Sequence, residues 1–144
     1  MSPIANYTTT VTAKKSIKEI EDMLVAHGAR QILMDYDHQG KPVGLAFIVA
    51  TAFGVMPFRI PANIGKVKAV LTKQRVRVEV SEELAARVAW RILKDWVRAQ
   101  MAILEAEMVS IDQVFLPYMQ MAEGGKTLYE VMVGYRFQLP GGRG

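Results

Sequence analysis

One stretch decides the fold of this chain: residues 81–108, SEELAARVAWRILKDWVRAQMAILEAEM. Ser81 is a good N-cap residue, and Glu82 and Glu83 follow in the first turn, where the helix dipole favours negative charge. No Gly or Pro interrupts the stretch, so it predicts one long helix. Most of its circumference is apolar, which is typical of a buried helix. We therefore predict that this helix is the centre around which the domain packs.

One side of the predicted helix is basic. At 3.6 residues per turn, Trp96 falls among the apolar residues opposite the basic side, whereas Trp90 falls beside it. This predicts that Trp96 is in the core and that Trp90 lies nearer the surface. The basic stripe itself consists of Arg87, Arg91, Lys94 and Arg98.

The residues before the long helix predict a helix and a small antiparallel sheet. Residues 7–12 alternate and are rich in threonine, which predicts a short strand at a sheet edge. Ser16 begins a capping box and Gly28 has the position of a C′ residue, so a helix is expected between them. A three-stranded meander is expected over residues 31–37, 43–51 and 55–60.

Shorter elements are expected around the long helix. Asn63 can cap a helix, and residues 75–80 alternate strictly, as in a strand or an extended segment leading into the long helix. After it, residues 111–121 predict a helix bent near Pro117, and Thr127 begins a second capping box.

We therefore predict one α+β domain over residues 1–138, a small antiparallel sheet packed against helices and organised on the central helix at about 81–108. Residues 139–144 are expected to form a flexible tail.

Composition limits the classes of function. A chain of 144 residues with 51% hydrophobic and 22% charged residues is typical of one globular domain. It has no cysteine, which excludes disulfides, thiolate nucleophiles and cysteine-ligated metals. No apolar run approaches the roughly 20 residues of a membrane span, and the N-terminus does not resemble a signal peptide. We expect a soluble, cytoplasmic protein with no membrane partner.

Catalytic motifs are missing from the sequence. His27 and His38 are too dispersed for a histidine metal site. Asp35 and Asp37 share one strand face and could in principle bind a metal, but alternating carboxylates beside a turn are more often solvent-facing. The sequence also has no phosphate-binding glycine loop and no nucleophile elbow. We predict a non-enzymatic protein with no cofactor and no metal.

Basic residues concentrate in the middle of the chain. Residues 59–98 hold ten basic and four acidic side chains, a net charge of +6, which suggests a polyanionic partner. We predict binding of nucleic acid, preferably single-stranded DNA, by phosphate contacts and by base stacking on Trp90. The predicted binding residues are Arg59, Lys66, Lys68, Lys73, Arg75, Arg77, Arg87, Trp90, Arg91, Lys94 and Arg98.

An alternative function is a structural or protein–protein interaction module whose basic surface is ordinary. Methionine suits adaptable interfaces as well as irregular gaps in a core. With the apolar central helix, the methionines also predict a homo-oligomer. Those that flank the central helix and the following helix are Met101, Met108, Met119 and Met121.

Several segments, taken in order, resemble small phage and prophage proteins. They are a threonine-rich first strand, SIKEIE at 16–21, AWRILKDW at 89–96, VFLPYM at 114–119 and GGKTLYE at 124–130. Members of that mostly uncharacterised family tend to be encoded among replication and recombination functions, so the resemblance implies DNA handling. It contains no catalytic motif and implies no functional residue.

Overall fold

The computed structural model describes residues 4–6, 9–74, 79–121 and 125–138, which form helices and one antiparallel sheet. The predicted α+β class is confirmed. The helices are α1 (Ala13–Ala26), α2 (Ile64–Gln74), α3 (Glu82–Glu105), α4 (Ile111–Phe115) and α5 (Leu128–Gly134), and a 3₁₀ turn spans Leu116–Tyr118. The strands are β1 (Ala29–Tyr36), β2 (Pro42–Thr51) and β3 (Gly54–Pro61).

The sheet is the predicted meander, in the order β1-β2-β3. Phe47 of β2 pairs with Ile32 of β1 and with Phe58 of β3, and these three side chains share one face. We call this the inner face, because Phe47 and Phe58 are buried in the main core. Gly54 has a φ of +107°, a left-handed conformation that suits glycine, at the tight turn between β2 and β3.

Helices α1 and α3 both pack on the inner face. They run side by side in the same direction, because Glu19 of α1 lies beside Lys94 of α3, and His27 lies beside Glu105 further along. The helix α3 begins as predicted, with the Ser81 side chain accepting a hydrogen bond from the Leu84 N–H at 3.0 Å. Trp90, Val97 and Met101 of α3 join the buried residues of α1 and the sheet in the main core. The buried residues of its first turns pack against Leu71 of α2 in a second cluster; they are Leu84, Ala85 and Val88.

Phe115 of α4 closes the core at the far end of α3. Its ring lies 5.2 Å from that of Phe47 and 5.6 Å from that of Trp96, both at edge-to-face angles. The predicted helix over 111–121 is shorter than expected, because a 3₁₀ turn forms at Pro117. Beyond this turn the chain pairs with β3, and the Gln120 N–H donates to the Pro57 carbonyl at 2.8 Å.

Two predictions about the N-terminal part are wrong. Residues 9–12 form no strand, because the Val11 N–H donates to the Thr9 hydroxyl in a local turn, and residues 7 and 8 lie outside the described part. Helix α1 begins at Ala13, where Thr12 caps it by accepting from the Lys15 N–H. Ser16, the predicted cap, lies inside the helix and is fully buried.

Two segments that the sequence singled out fall largely outside the described residues. Within the predicted strand 75–80, residues 75–78 are not described, and Glu79 and Val80 are not in a strand. The predicted tail, 139–144, is also outside the described ranges. The last predicted capping box is present, since the Thr127 N–H donates to Glu130 at 2.8 Å at the start of α5. No helix among the described residues is both long and apolar enough for a membrane crossing.

The predicted exposure of Trp90 is wrong. Its side chain is fully buried, and its indole N–H donates to the Pro42 carbonyl at 3.3 Å. Trp96 is only partly buried, against Phe115 and Tyr118. Helical spacing identifies the polar side of α3, but it does not show which of several apolar sectors the sheet covers most deeply.

We expect Trp90→Ala to lower the free energy of unfolding by about 3–5 kcal/mol, the range for deleting a buried large aromatic side chain. Trp96→Ala serves as the matched control and should cost less, because Trp96 keeps part of its surface in water. Urea denaturation followed by circular dichroism measures both. A larger loss for Trp96→Ala would contradict this assignment of the core.

Candidate functional site

Two members of the basic stripe of α3, Lys94 and Arg98, are directed to α1. Lys94 is only 1% exposed, and its ammonium nitrogen lies 2.9 Å from Asp95 and 3.7 Å from Glu19 of α1. Arg98 also reaches Glu19, at 3.5 Å. Lys94 therefore helps to join two helices and is too deeply buried to contact a phosphate.

The other two arginines of the stripe pair along their own helix. Arg87 lies 3.4 Å from Glu83, and Arg91 lies 3.8 Å from Asp95. Burial alone would raise the pKa of Asp95. This effect is outweighed by hydrogen bonds from Lys94 and Asn6 and by the charge of Arg91, so the pKa of Asp95 is below its usual value. The stripe is thus largely neutralised by Glu83 and Asp95 of α3 itself and by Glu19 of α1, and only Glu19 depends on the packing of another element.

The remaining predicted cations are dispersed over other surfaces. Arg59 pairs with Asp35 at 3.0 Å, and Lys68 pairs with Glu82 at 2.7 Å. The other predicted cations of α2 are exposed and have no ion pair among the described residues; they are Lys66 and Lys73. The positions of Arg75 and Arg77 lie outside the described ranges. With Trp90 buried, the described members of the predicted cluster do not form one binding surface.

A different set of residues meets at one end of the molecule. A cleft of about 1890 Å³ opens between the start of α1, the turn that joins β1 to β2, and the starts of α2 and α3. The first turns of three helices border it, and their dipoles favour an anion there. Four cations from three of these elements line the cleft: Lys14, Lys18, Lys41 and Arg87.

Carboxylates also line the cleft, but most of them already have partners. Asp37 accepts the backbone N–H groups of Gln39 and Lys41, both at 2.9 Å. Glu82 and Glu83 are held by the lysine of α2 and the arginine of α3 described above. Two of these carboxylates, Glu21 and Asp37, have no ion pair in the described structure. These pairings leave Lys14 and Lys41 exposed and without a carboxylate partner among the described residues.

One further feature suits the cleft to a ligand. Tyr36, at the end of β1, is 62% exposed and lines the cleft, so its ring is accessible for stacking. Arg87 also lines the cleft, but its Nε donor, which has no acceptor in the described part of the chain, is fully buried and out of reach of a ligand.

The sequence offered two signals for this site, but neither identified it. Lys14 stands two residues before Ser16, the predicted start of the first helix, and Tyr36 precedes a predicted turn. They are 22 positions apart, and only the docking of α1 beside the β1–β2 turn places both around one cleft.

The residues considered for metal binding are used by the fold. Asp35 pairs with Arg59, and Asp37 holds the turn after β1. Nδ1 of His27 lies 2.9 Å from the Met23 carbonyl, and its Nε2 lies 3.1 Å from Glu105. Among the described residues, no three His, Asp or Glu side chains are grouped as metal ligands would be.

Comparison with known proteins gives no match. No family model matches the sequence, and no curated protein or solved structure is significantly similar to it. The resemblance to phage and prophage proteins therefore stays a prediction, and we infer function from the geometry of the cleft.

The burial of Lys94 predicts an asymmetry between two variants. Lys94→Met keeps the side-chain volume and leaves Glu19 and Asp95 partly in water, so its cost should stay below about 1.5 kcal/mol. The double variant Glu19→Gln/Asp95→Asn leaves the buried ammonium of Lys94 without a carboxylate partner. It should lower the free energy of unfolding by about 3 kcal/mol or more. Urea unfolding at pH 7 measures both, and a costlier Lys94→Met would show that Lys94 is not held as described.

Proposed function

We propose that this protein binds single-stranded nucleic acid, preferably DNA, in the cleft between the β1–β2 turn and the starts of α1, α2 and α3. One observation carries the proposal: an exposed tyrosine, Tyr36, lines a cleft together with Lys14 and Lys41, two exposed cations that have no ion pair among the described residues. Proteins that bind single strands combine cations that follow the phosphates with aromatic rings on which bases stack. The site replaces the one predicted from the sequence, but the class of function is the same.

The cations of the cleft suit phosphate contacts. Lys14 and Lys41 are exposed and lie on separate elements, so they can contact phosphates without losing an internal ion pair among the described residues. Arg87 is held by Glu83 at 3.4 Å, and its unsatisfied Nε donor is buried. We therefore expect the two lysines to provide most of the salt-dependent affinity.

A stacking residue favours single strands over duplex. Bases in a duplex are already stacked on their neighbours, whereas the bases of a single strand are free to stack on a side chain. Tyr36 takes the role that the sequence gave to Trp90, whose ring is enclosed by the core. Replication or recombination of phage type, a non-enzymatic role and a cytoplasmic location belong to the same proposal.

A protein-interaction module is the second candidate, and a specific observation favours it. Leu33 and Val55 are 65% and 57% exposed on the face of the sheet opposite the core, and exposed apolar patches often mark interaction sites.

We also propose that the protein forms homo-oligomers. Of the methionines that suggested this, Met101 is buried in the core, whereas Met108 is 71% exposed.

The first functional prediction concerns salt. The affinity for a labelled oligothymidine should fall as the salt concentration rises. The slope of log K against log[salt] should be about −0.7 for each phosphate that the protein contacts. Lys14→Ala/Lys41→Ala removes two proposed contacts, so it should weaken binding and flatten the slope of log K against log[salt] by roughly one to two units. Fluorescence anisotropy across a salt series measures both quantities.

The matched control for the double variant is Lys73→Ala/Lys126→Ala. It removes the same charge from exposed lysines that do not line the cleft. Its salt slope should stay close to that of the wild type. If both double variants change the slope equally, the binding is diffuse and not located in the cleft; absence of binding at low salt would contradict nucleic-acid binding altogether.

The second functional prediction separates stacking from charge. Tyr36→Ala should lose about 1–3 kcal/mol of affinity for single strands at an unchanged salt slope, because stacking involves no released counterion. Tyr36→Phe keeps the ring and should bind nearly as well as the wild type. Tyr135→Ala is the control, since Tyr135 is 56% exposed and does not line the cleft. Equal losses for Tyr36→Ala and Tyr135→Ala would exclude Tyr36 as the stacking residue.

A further inference from the structure

The sheet has a second face, which we call the outer face, opposite the helices α1 and α3. Side chains alternate along each strand, so the neighbours of the buried residues point outward. Leu33 and Val55 are exposed on the two flanking strands, while the residues of β2 between them are mostly small. The outer face consists of Gln31, Leu33, Asp35, Gly44, Ala46, Ile48, Ala50, Val55, Pro57 and Arg59.

Two charged groups mark one end of the outer face, and they are opposite in sign. Asp35 is on β1 and Arg59 is on β3, so they stand on either side of the central strand. They reach each other across β2, with Arg59 Nε 3.0 Å from Asp35 Oδ2. The face is therefore apolar along most of its length, and the charges of Asp35 and Arg59 offset each other.

This arrangement is complementary to itself. A two-fold axis parallel to β2 brings two outer faces together with β1 of one copy over β3 of the other. Leu33 and Asp35 of each copy then face the strand that carries Arg59 in the other copy, and the small residues of β2 allow the sheets to approach to about 10 Å. We propose that the outer face is the homodimer interface of this protein.

The size of the face sets the strength of the dimer. Three strands of about eight residues cover roughly 14 Å by 26 Å. The resulting area of about 360 Å² is small beside the roughly 800 Å² that each partner contributes to a standard interface. The dimer is therefore weak and reversible, with dissociation in the micromolar range or above.

The proposal rests on the self-association proposed above and is independent of nucleic-acid binding, because the cleft residues named above are not on the outer face. Sedimentation equilibrium between about 1 µM and 1 mM tests it on the full chain. The apparent mass should rise with concentration from 16.1 kDa towards twice that value. A monomer over the whole range would overturn both self-association and this interface.

Leu33→Asp tests the location of the interface. Leu33 is exposed, so the change leaves the core intact and should raise the dimer dissociation constant at least tenfold. Val25→Asp, at a 60% exposed apolar residue of α1, is the matched control and should dimerise like the wild type. If Leu33→Asp dimerises as strongly as the wild type, the protein self-associates but through another surface, such as the outer edge of β1.

Mixing two charge variants tests the geometry directly. Asp35→Arg gives each copy two cations on the outer face, and Arg59→Asp gives each copy two anions, so either variant alone should be monomeric. A mixture should form heterodimers, because each cation of one copy then lies two residues along the facing strand from an anion of the other, although the repulsion within each chain remains. If the mixture associates no better than the separate variants, the proposed packing of β1 over β3 is wrong.

Discussion

The burial of the inner sheet face is the constraint on which the rest of the structure depends. Phe47 and Phe58 stack with their ring centres 5.3 Å apart on adjacent strands, so one cover must shield both of them from water. Trp90 of α3 and Phe115 of α4 belong to the core that provides it. Because α1 and α3 both serve this one face, the other face of the sheet stays open, and the first turns of the helices converge at the end where the cleft lies.

The packing of α1 against α3 changes what the basic side of α3 can bind. Four cations on one side of a helix resemble a phosphate-binding stripe when the helix is considered alone. Once α1 lies along that side, Glu19 shares two of the cations and Lys94 becomes almost inaccessible to water. Because desolvation offsets most of the Coulomb attraction of such a lysine, we expect it to contribute more to the alignment of the two helices than to net stability.

The two proposed surfaces use different physical chemistry and leave each other free. The cleft offers exposed cations and a tyrosine ring, which suits a flexible anion that carries aromatic bases. The outer face offers small apolar side chains and one ion pair, Asp35 with Arg59. It suits a flat apolar partner that presents a cation near Asp35 and a carboxylate near Arg59. An axis parallel to β2 would also place the two clefts of a dimer at the same end, so that one strand of nucleic acid could contact both.

The sequence alone determined the local elements, because capping and periodicity act over a few residues. Ser81 and Thr127 begin helices as expected, and the alternating and apolar runs give the three strands of the meander. Local signals misled where two of them competed, as at the start of α1, where Thr12 caps the helix and Ser16 is buried within it.

Tertiary structure decided which side of each element meets another element. Trp90 and Lys94 were assigned to the surface from the wheel of α3, but contacts with the sheet and with α1 bury both of them. The cleft joins Lys14 to Tyr36 only because α1 docks beside the turn after β1. Periodicity defines the faces of a helix, whereas the burial of a face depends on partners that are distant in the chain, so the binding surface could not be predicted from the sequence.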